Sequence, residues 1–362
     1  QSKMNLVADG IIGVAIGDAL GLPYHFKDRG FLCENPVLGM NDWPGKGLGM
    51  GFYSDDTSMT LCLLDSLTRY QKINYKDICN NLVLWLGNGK FTPAGYSFGF
   101  GQTTLKAIQN FILGTEPTSC GSKDEFANGN GSLIRILPLI FYLYPRYGEH
   151  LFRDSKCAKT IADTSSLTHA HERTIIAVSI YLSIAAKIIT KRLEKGGPLI
   201  KSQLSRAIEE GSLETISYFS TQKSFSGQMG YFDKFLMNPK SKKINLLSFK
   251  NKEIRSSAYV VDTLEASIWC LLKAKTFKDA VLLAVNLGGD TDSCGSVTGG
   301  LAGLAYGKER IPKTWINTLM DHRSIMNACM KYNNKFARNI EKRQQKLLAS
   351  EIGTAFLNAI VN

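Results

Sequence analysis

The stretch NLGGDTDSCGSVTGGLAGLAYG, Asn286 to Gly307, sets two aspartates between hydroxyls and follows them with a long uncharged run of small and apolar residues. An apolar segment, AVLLAVNL from Ala280, delivers the chain into this turn. Gly288 and Gly289 open backbone conformations closed to other residues. The small residues beyond Ser293 let the helix that follows lie close against a neighbouring segment. A second stretch far upstream repeats the design. In GFYSDDTSMT, Gly51 to Thr60, the run Ser54, Asp55, Asp56 and Thr57 precedes Leu61, Leu64 and Leu67 at helical spacing. That spacing predicts a helix whose first turn is acidic. Each turn taken alone reads as a helix cap, because Ser and Asp accept from free backbone N–H groups and acids favour the positive end of the helix dipole. Taken together, the four carboxylates and their hydroxyls read as an all-oxygen donor set, the kind that Mg²⁺, Mn²⁺ or Ca²⁺ prefer and zinc does not. Two such ions roughly 3.5–4 Å apart can share carboxylates.

Outward from these turns, almost every long periodic segment is helical. LVADGIIGVAIGDAL, YKDICNNLVLWLGNG, ERTIIAVSIYLSIAAKII, LSRAIEEGSLETISYF and VVDTLEASIWCLLKA are examples. Strand alternation is scarce, so the expected class is all-α. No tandem period marks a solenoid. The segment from about 225 to 255 is rich in Lys and Asn and reads as an excursion between helices. The expected organisation is one domain over 1–310 with a basic helical extension over 311–362 packed on or beside it.

The 362 residues include 44% hydrophobic positions, an ordinary globular composition with enough chain for a sizeable core. No uninterrupted apolar run reaches the roughly 18–20 residues of a membrane span. The longest, TIIAVSIYLSIAAKIIT from Thr174, is broken by Lys187 and reads as a buried helix. Eight cysteines contain no C-x-x-C pair; they read as free thiols of a reducing compartment. With no signal-peptide pattern at the start, the expected location is the cytoplasm. The net charge of +12 is localised. Residues 221–256 hold eight Lys/Arg against two acids, and residues 308–346 hold ten against three. Such segments suit a solvated face or an anionic partner. There is no clear nucleic-acid motif.

Three further loops carry candidate chemistry. NGNGSLIR sets Gly129, Asn130, Gly131 and Ser132 before a helix, where free N–H groups can hold a phosphate. LTHAHERT sets His169 and His171 in a turn ahead of another helix, for packing, capping or ligand contact. PAGYSFGFGQTT is a Gly-aromatic loop around Phe98 and Phe100 that can lie against a base or sugar, or simply turn the chain.

In this order, GVAIGDALGLPYH, YSDDTSMT, GNGSLIRILPL, LTHAHERT, SSAYVVDTLEASIWCLL and LGGDTDSCGSVTGGLAGLAYG resemble the ADP-ribosylglycohydrolase family, the dinitrogenase reductase-activating glycohydrolase-like proteins, over roughly Leu6 to Lys308. The resemblance implies an all-α orthogonal multi-helix bundle with a central cleft holding two Mg²⁺ or Mn²⁺ ions. It implies metal ligation by Ser54, Asp55, Asp56, Asp290, Asp292 and Ser293. It also implies ADP-ribose contacts from Gly129, Asn130, Gly131, Ser132, His169, Phe98, Gly99, Phe100, Gly101 and Tyr259. The implied reaction is removal of ADP-ribose from modified protein side chains, arginine first among them, by a monomer. The alternative is an inactive ADP-ribose binder of the same fold. Two positions depart from the family pattern. Many members carry a glutamate where this chain has His25, and an aspartate where it has Gly99. The acid–base role then falls to His25, Asp55 or Asp56.

Overall fold

The computed structural model describes residues 4–362, and among them there is no β-sheet, only isolated bridges. The helices are α1 (Leu6–Gly21), α2 (Arg29–Glu34), α3 (Asp55–Tyr70), α4 (Tyr75–Asn88), α5 (Gln102–Ile112), α6 (Leu139–Tyr147) and α7 (Ser155–Ser166). They continue with α8 (Glu172–Lys195), α9 (Lys201–Ser220), α10 (Val260–Lys273), α11 (Phe277–Asn286), α12 (Thr291–Tyr306), α13 (Lys313–Thr318) and α14 (His322–Val361). The expected all-α class is what forms.

The centre of the bundle is the antiparallel pair α1 and α12. Every residue of both helices is buried, as a helix apolar on all sides must be. Their contact is backbone against backbone. A Cβ at Gly13 would run into the Gly299 carbonyl, and one at Gly17 into the Gly295 carbonyl. The small residues after Ser293 therefore do what their pattern predicted. Because the helices run antiparallel, the last turn of α1 lies beside the first turn of α12. Thr291 Oγ1 donates to the Gly21 carbonyl across that junction, 2.6 Å away, satisfying a carbonyl left over at the α1 terminus.

Helix α8 is the second buried axis, with α6, α7, α9, α10 and α12 packed around it. The α1 region and α8 are both long and apolar enough to cross a membrane, beyond what the uninterrupted runs suggested, yet 94% and 89% of their apolar windows lie inside the protein. The excursion over 226–253 is a chain of short 3₁₀ turns that buries Phe232, Phe235 and Leu246. The first half of α14 packs on α1, α3 and α6, burying Ile325, Cys329, Tyr332, Phe336 and Ile340. Its outer half leaves Leu348, Ile352, Phe356 and Ile360 exposed. All eight cysteines are free thiols and seven are buried.

Candidate active site

Helix α3 begins at Ser54, whose hydroxyl caps the Asp56 N–H at 3.3 Å, so the capping reading of this turn is correct as far as it goes. The larger organiser is Asp18, in the last turn of α1, a residue the sequence reading quoted but did not single out. Its carboxylate accepts from Ser54 N–H (2.9 Å), Ser54 Oγ (2.7 Å), Thr57 N–H (3.1 Å) and Thr57 Oγ1 (2.7 Å). Asp18 thus ties the start of α3 to the end of α1. Burial raises its pKa to about 6 against the pull of those four donors. The available signal was a charged residue inside an otherwise apolar, glycine-rich helix.

The start of α12 meets this junction and brings the two acidic turns together. Asp55, Asp56 and Asp292 offer carboxylate oxygens that all lie within 4.8 Å of one another, and a His25 ring nitrogen lies equally close to oxygens of Asp290 and Asp292. Asp292 belongs to both groups. The four carboxylates are nearly excluded from water, between 1% and 7% exposed. Asp56 accepts from Ser296 Oγ at 2.9 Å. Asp290 accepts from Asn130 Nδ2 at 2.8 Å. Asp292 Oδ1 is buried with no hydrogen-bond partner at all. Burial and mutual repulsion push Asp55 up to about 7, and push Asp56 and Asp292 well above the ordinary carboxylate range. The one cationic candidate nearby is His25, with Nε2 3.5 Å from Asp290 and 3.7 Å from Asp292. Burial lowers its pKa, so the imidazole stays neutral at pH 7 and leaves the carboxylates without a counter-charge.

A cleft of about 490 Å³ opens over these groups. His25, Asp55, Asp56, Asp290, Asp292 and Ser293 line it, with Gly99, Phe100 and Gly101 on one wall and Gly129, Asn130, Gly131 and His169 on another. Gly99 has φ +80°, and a Cβ there would stand 2.9 Å from Asp55 Oδ1. The loop can therefore lie on Asp55 only without a side chain at this position. Four expected contacts are not brought to the cleft wall. Ser54 is buried beneath it on Asp18. Ser132 accepts from Ser165 Oγ. Phe98 packs on Trp43 and Tyr96. Tyr259 accepts from Arg173 Nη1 at 3.2 Å and lines a neighbouring cavity of about 430 Å³.

The glycine-rich loop differs from its expected form. Leu133–Arg135 is a single 3₁₀ turn, and α6 starts only after Pro138. The Asn130 N–H is taken by the Ala258 carbonyl, at 2.9 Å, so no α-helical N-terminus serves as an anion cradle here. The loop is fixed from below instead. His169 lies under Gly131, where any Cβ would strike its ring. Burial beside the Arg135 guanidinium drives the His169 pKa down to about 3, so it is a neutral floor. Arg135 itself is buried and donates to the Thr164 carbonyl and to Thr168 Oγ1. His171, by contrast, caps α8. Phe126, missed in the sequence, stands 96% exposed where this cleft meets two neighbouring cavities.

An acid-walled cleft where the starts of two helices meet, in an all-α frame, is the candidate active site. The family model for ADP-ribosylglycohydrolase matches residues 1–346, and the chain belongs to that family. It is 30% identical over 323 residues to the ADP-ribosylarginine hydrolase Tri1 of Serratia proteamaculans, a match spanning 88% of this chain and 76% of that protein. It is 27% identical over 310 residues to the ADP-ribosyl-(dinitrogen reductase) glycohydrolase of Rhodospirillum rubrum, spanning 85% of this chain and 88% of that one. A solved ADP-ribosylglycohydrolase-related protein complex shares the fold, with a TM-score of 0.66 at 23% identity over 91% of this chain and 97% of that chain.

Proposed function

We propose that this protein hydrolyses the glycosidic bond between ADP-ribose and arginine side chains of modified proteins, with two Mg²⁺ or Mn²⁺ ions as cofactors. The observation that carries the reading is the pair of three-residue donor groups sharing Asp292 in one buried cleft without a counter-charge. Buried carboxylates without partners are costly, and the unpartnered Asp292 Oδ1 is one such atom. The donor set is hard oxygen plus one imidazole, which fits divalent cations of this class. Asp55, Asp56 and Asp292 would hold one ion, and Asp290, Asp292 and His25 the other. When bound, the ions would supply positive charge against which ribose hydroxyls and a water can be ordered.

The chain's own residues do the rest. Asp55 is the carboxylate beside the open Gly99 wall, and its raised pKa suits a proton acceptor near neutral pH. It takes a proton from the water whose oxygen bonds to the anomeric carbon, while the bond to the arginine nitrogen breaks with its electron pair kept on nitrogen; the proton held by Asp55 then passes to that nitrogen, so that arginine leaves as the guanidinium. The remaining carboxylates stabilise the oxocarbenium-like charge that develops. Asn130 holds Asp290 in register, and neutral His25 presents Nε2 to the same side of the cleft as Asp290 and Asp292. Arginine as the acceptor is supported by the names of the Tri1 relatives.

The test is release of ADP-ribose from an arginine-modified protein with Mg²⁺, Mn²⁺ or EDTA, alongside a serine-modified protein. Arginine-selective, EDTA-sensitive release is expected. Tight ADP-ribose binding with no release from either substrate would make the protein a binder and overturn the proposal.

A further inference from the structure

At the far end of the α1/α12 pair lies a second large feature, a groove of about 1360 Å³. It is separated from the acidic cleft by the length of α12, 16 residues or about 24 Å at the helical rise. Three distant chain segments build it. Lys195 and Lys201 come from the α8/α9 junction, Lys275 and Lys278 from the start of α11, and Arg310 and Lys313 from the turn before α13. Only Asp279 and Glu309 oppose these six cations on the groove. Among the described residues none of the six lies within 4.0 Å of a carboxylate; Glu309 is engaged by Lys308 instead. Two helices, α9 and α11, begin at the rim, adding the positive ends of their dipoles. The floor is apolar, formed by Leu199, Phe277 and Ile311, all buried. Ile200 stands 58% exposed on the wall. The Tyr306 hydroxyl is buried there without a hydrogen-bond partner.

We infer that this groove is a docking site for an acidic protein segment that carries an aliphatic anchor. The uncompensated cations call for an anionic partner. The apolar content selects among anions. A single-stranded nucleic acid is gripped by exposed aromatic faces, and Phe277 and Tyr306 offer none, being 0% and 4% exposed. The exposed Ile200 instead suits a Leu or Ile side chain, with glutamates or aspartates reaching the rim. Because the groove lies at the opposite pole from the acidic cleft, a partner held there leaves that cleft open.

The test uses the full chain and fluorescence anisotropy of labelled twelve-residue peptides carrying two leucines among four glutamates in varied order. Controls replace Glu by Gln or Leu by Ser, and a twelve-nucleotide single strand supplies charge alone. The expected result is binding by the acidic–apolar set, at least tenfold weaker for both controls and for the oligonucleotide. The variant Lys195→Glu/Lys275→Glu/Lys278→Glu should lose at least tenfold, and Ile200→Ser should lose several-fold. All of these are surface changes whose folding is checked by melting temperature. Equal binding by wild type and the charge-reversed variant, a tighter oligonucleotide, or no peptide binding at 1 mM would each overturn the proposal.

Discussion

Helix α1 carries two buried aspartates with opposite fates. Asp9, in its first turn, sits 3.1 Å from the Arg192 guanidinium and accepts from the Lys308 N–H at 2.9 Å. Asp18, in its last turn, meets no cation. It accepts four donors from the start of α3 and faces a cluster of further carboxylates. Burial raises both to about 6. One end of the helix is therefore neutralised within the chain, and the other gathers negative charge with nothing in the chain to balance it. The proposed function fills the second pole with cations from outside, and the contrast with Asp9 is what that proposal rests on.

That contrast is breakable by mutation. The largest expected effect is on activity. Asp290→Ala should abolish release of ADP-ribose, by about 10³-fold or more, the scale on which removing a group that stabilises transition-state charge is felt. The fold should survive, since far-UV dichroism and melting reflect a core much larger than the cleft. Unchanged turnover with unchanged metal content would sink the cluster as a cation site. His25→Gln should weaken binding of the second ion yet keep most activity at saturating Mg²⁺ or Mn²⁺, whereas loss of a positioned base costs about 10²–10⁴-fold. Single-turnover rates across pH separate the two, and superimposable wild-type and His25→Gln profiles would assign the base to Asp55.

At the other pole the expected effect is on stability. Arg192→Met strands Asp9 in the core and should cost about 3–5 kcal/mol in urea unfolding. In metal-free protein Asp292→Asn should instead raise the melting temperature, because it removes one of several buried like charges. A fall would show that the cluster is balanced without a cation. Gly299→Ala, which drives a methyl into the α1 backbone, should cost about 1–3 kcal/mol or more and lower activity only by way of stability. The smallest effect is a slope. Asp9 binds its proton more tightly when folded, its pKa pushed by burial from the ordinary 3.8 to about 6. Its contribution to stability is therefore full below about pH 4 and is lost as pH rises through 6. Asp9→Asn should flatten that part of the wild-type stability curve.

The sequence made the helical class readable because period and composition agree along nearly every segment. It also made both acidic turns readable, since aspartates beside hydroxyls before a helix are visible locally. What it hid depends on contacts between distant segments. Asp18 looked like one of two aspartates in a mostly apolar helix until Ser54 and Thr57 closed on it. Arg135 lay inside a motif read for its glycines, yet its guanidinium holds the histidine turn that supports them. Ser54, Ser132, Phe98 and Tyr259 share motifs with lining residues but point elsewhere, because adjacent residues on a turn face opposite sides. The basic groove was invisible for the same reason. Its six cations come from three segments, and only the last falls in a segment whose charge stood out.

The close seating of α1 against α12 also sets a timetable. Helix α1 is apolar on every side, and the surface made to cover it is encoded some 270 residues later. At ribosomal rates of about 5–20 residues per second, an emerging chain carries α1 without its mate for roughly 15–50 s. The last acidic turn arrives in the same interval, so the cleft can assemble its carboxylates only after Asp290 and Asp292 have been made. A single pairing, made late, completes both the core and the reaction centre.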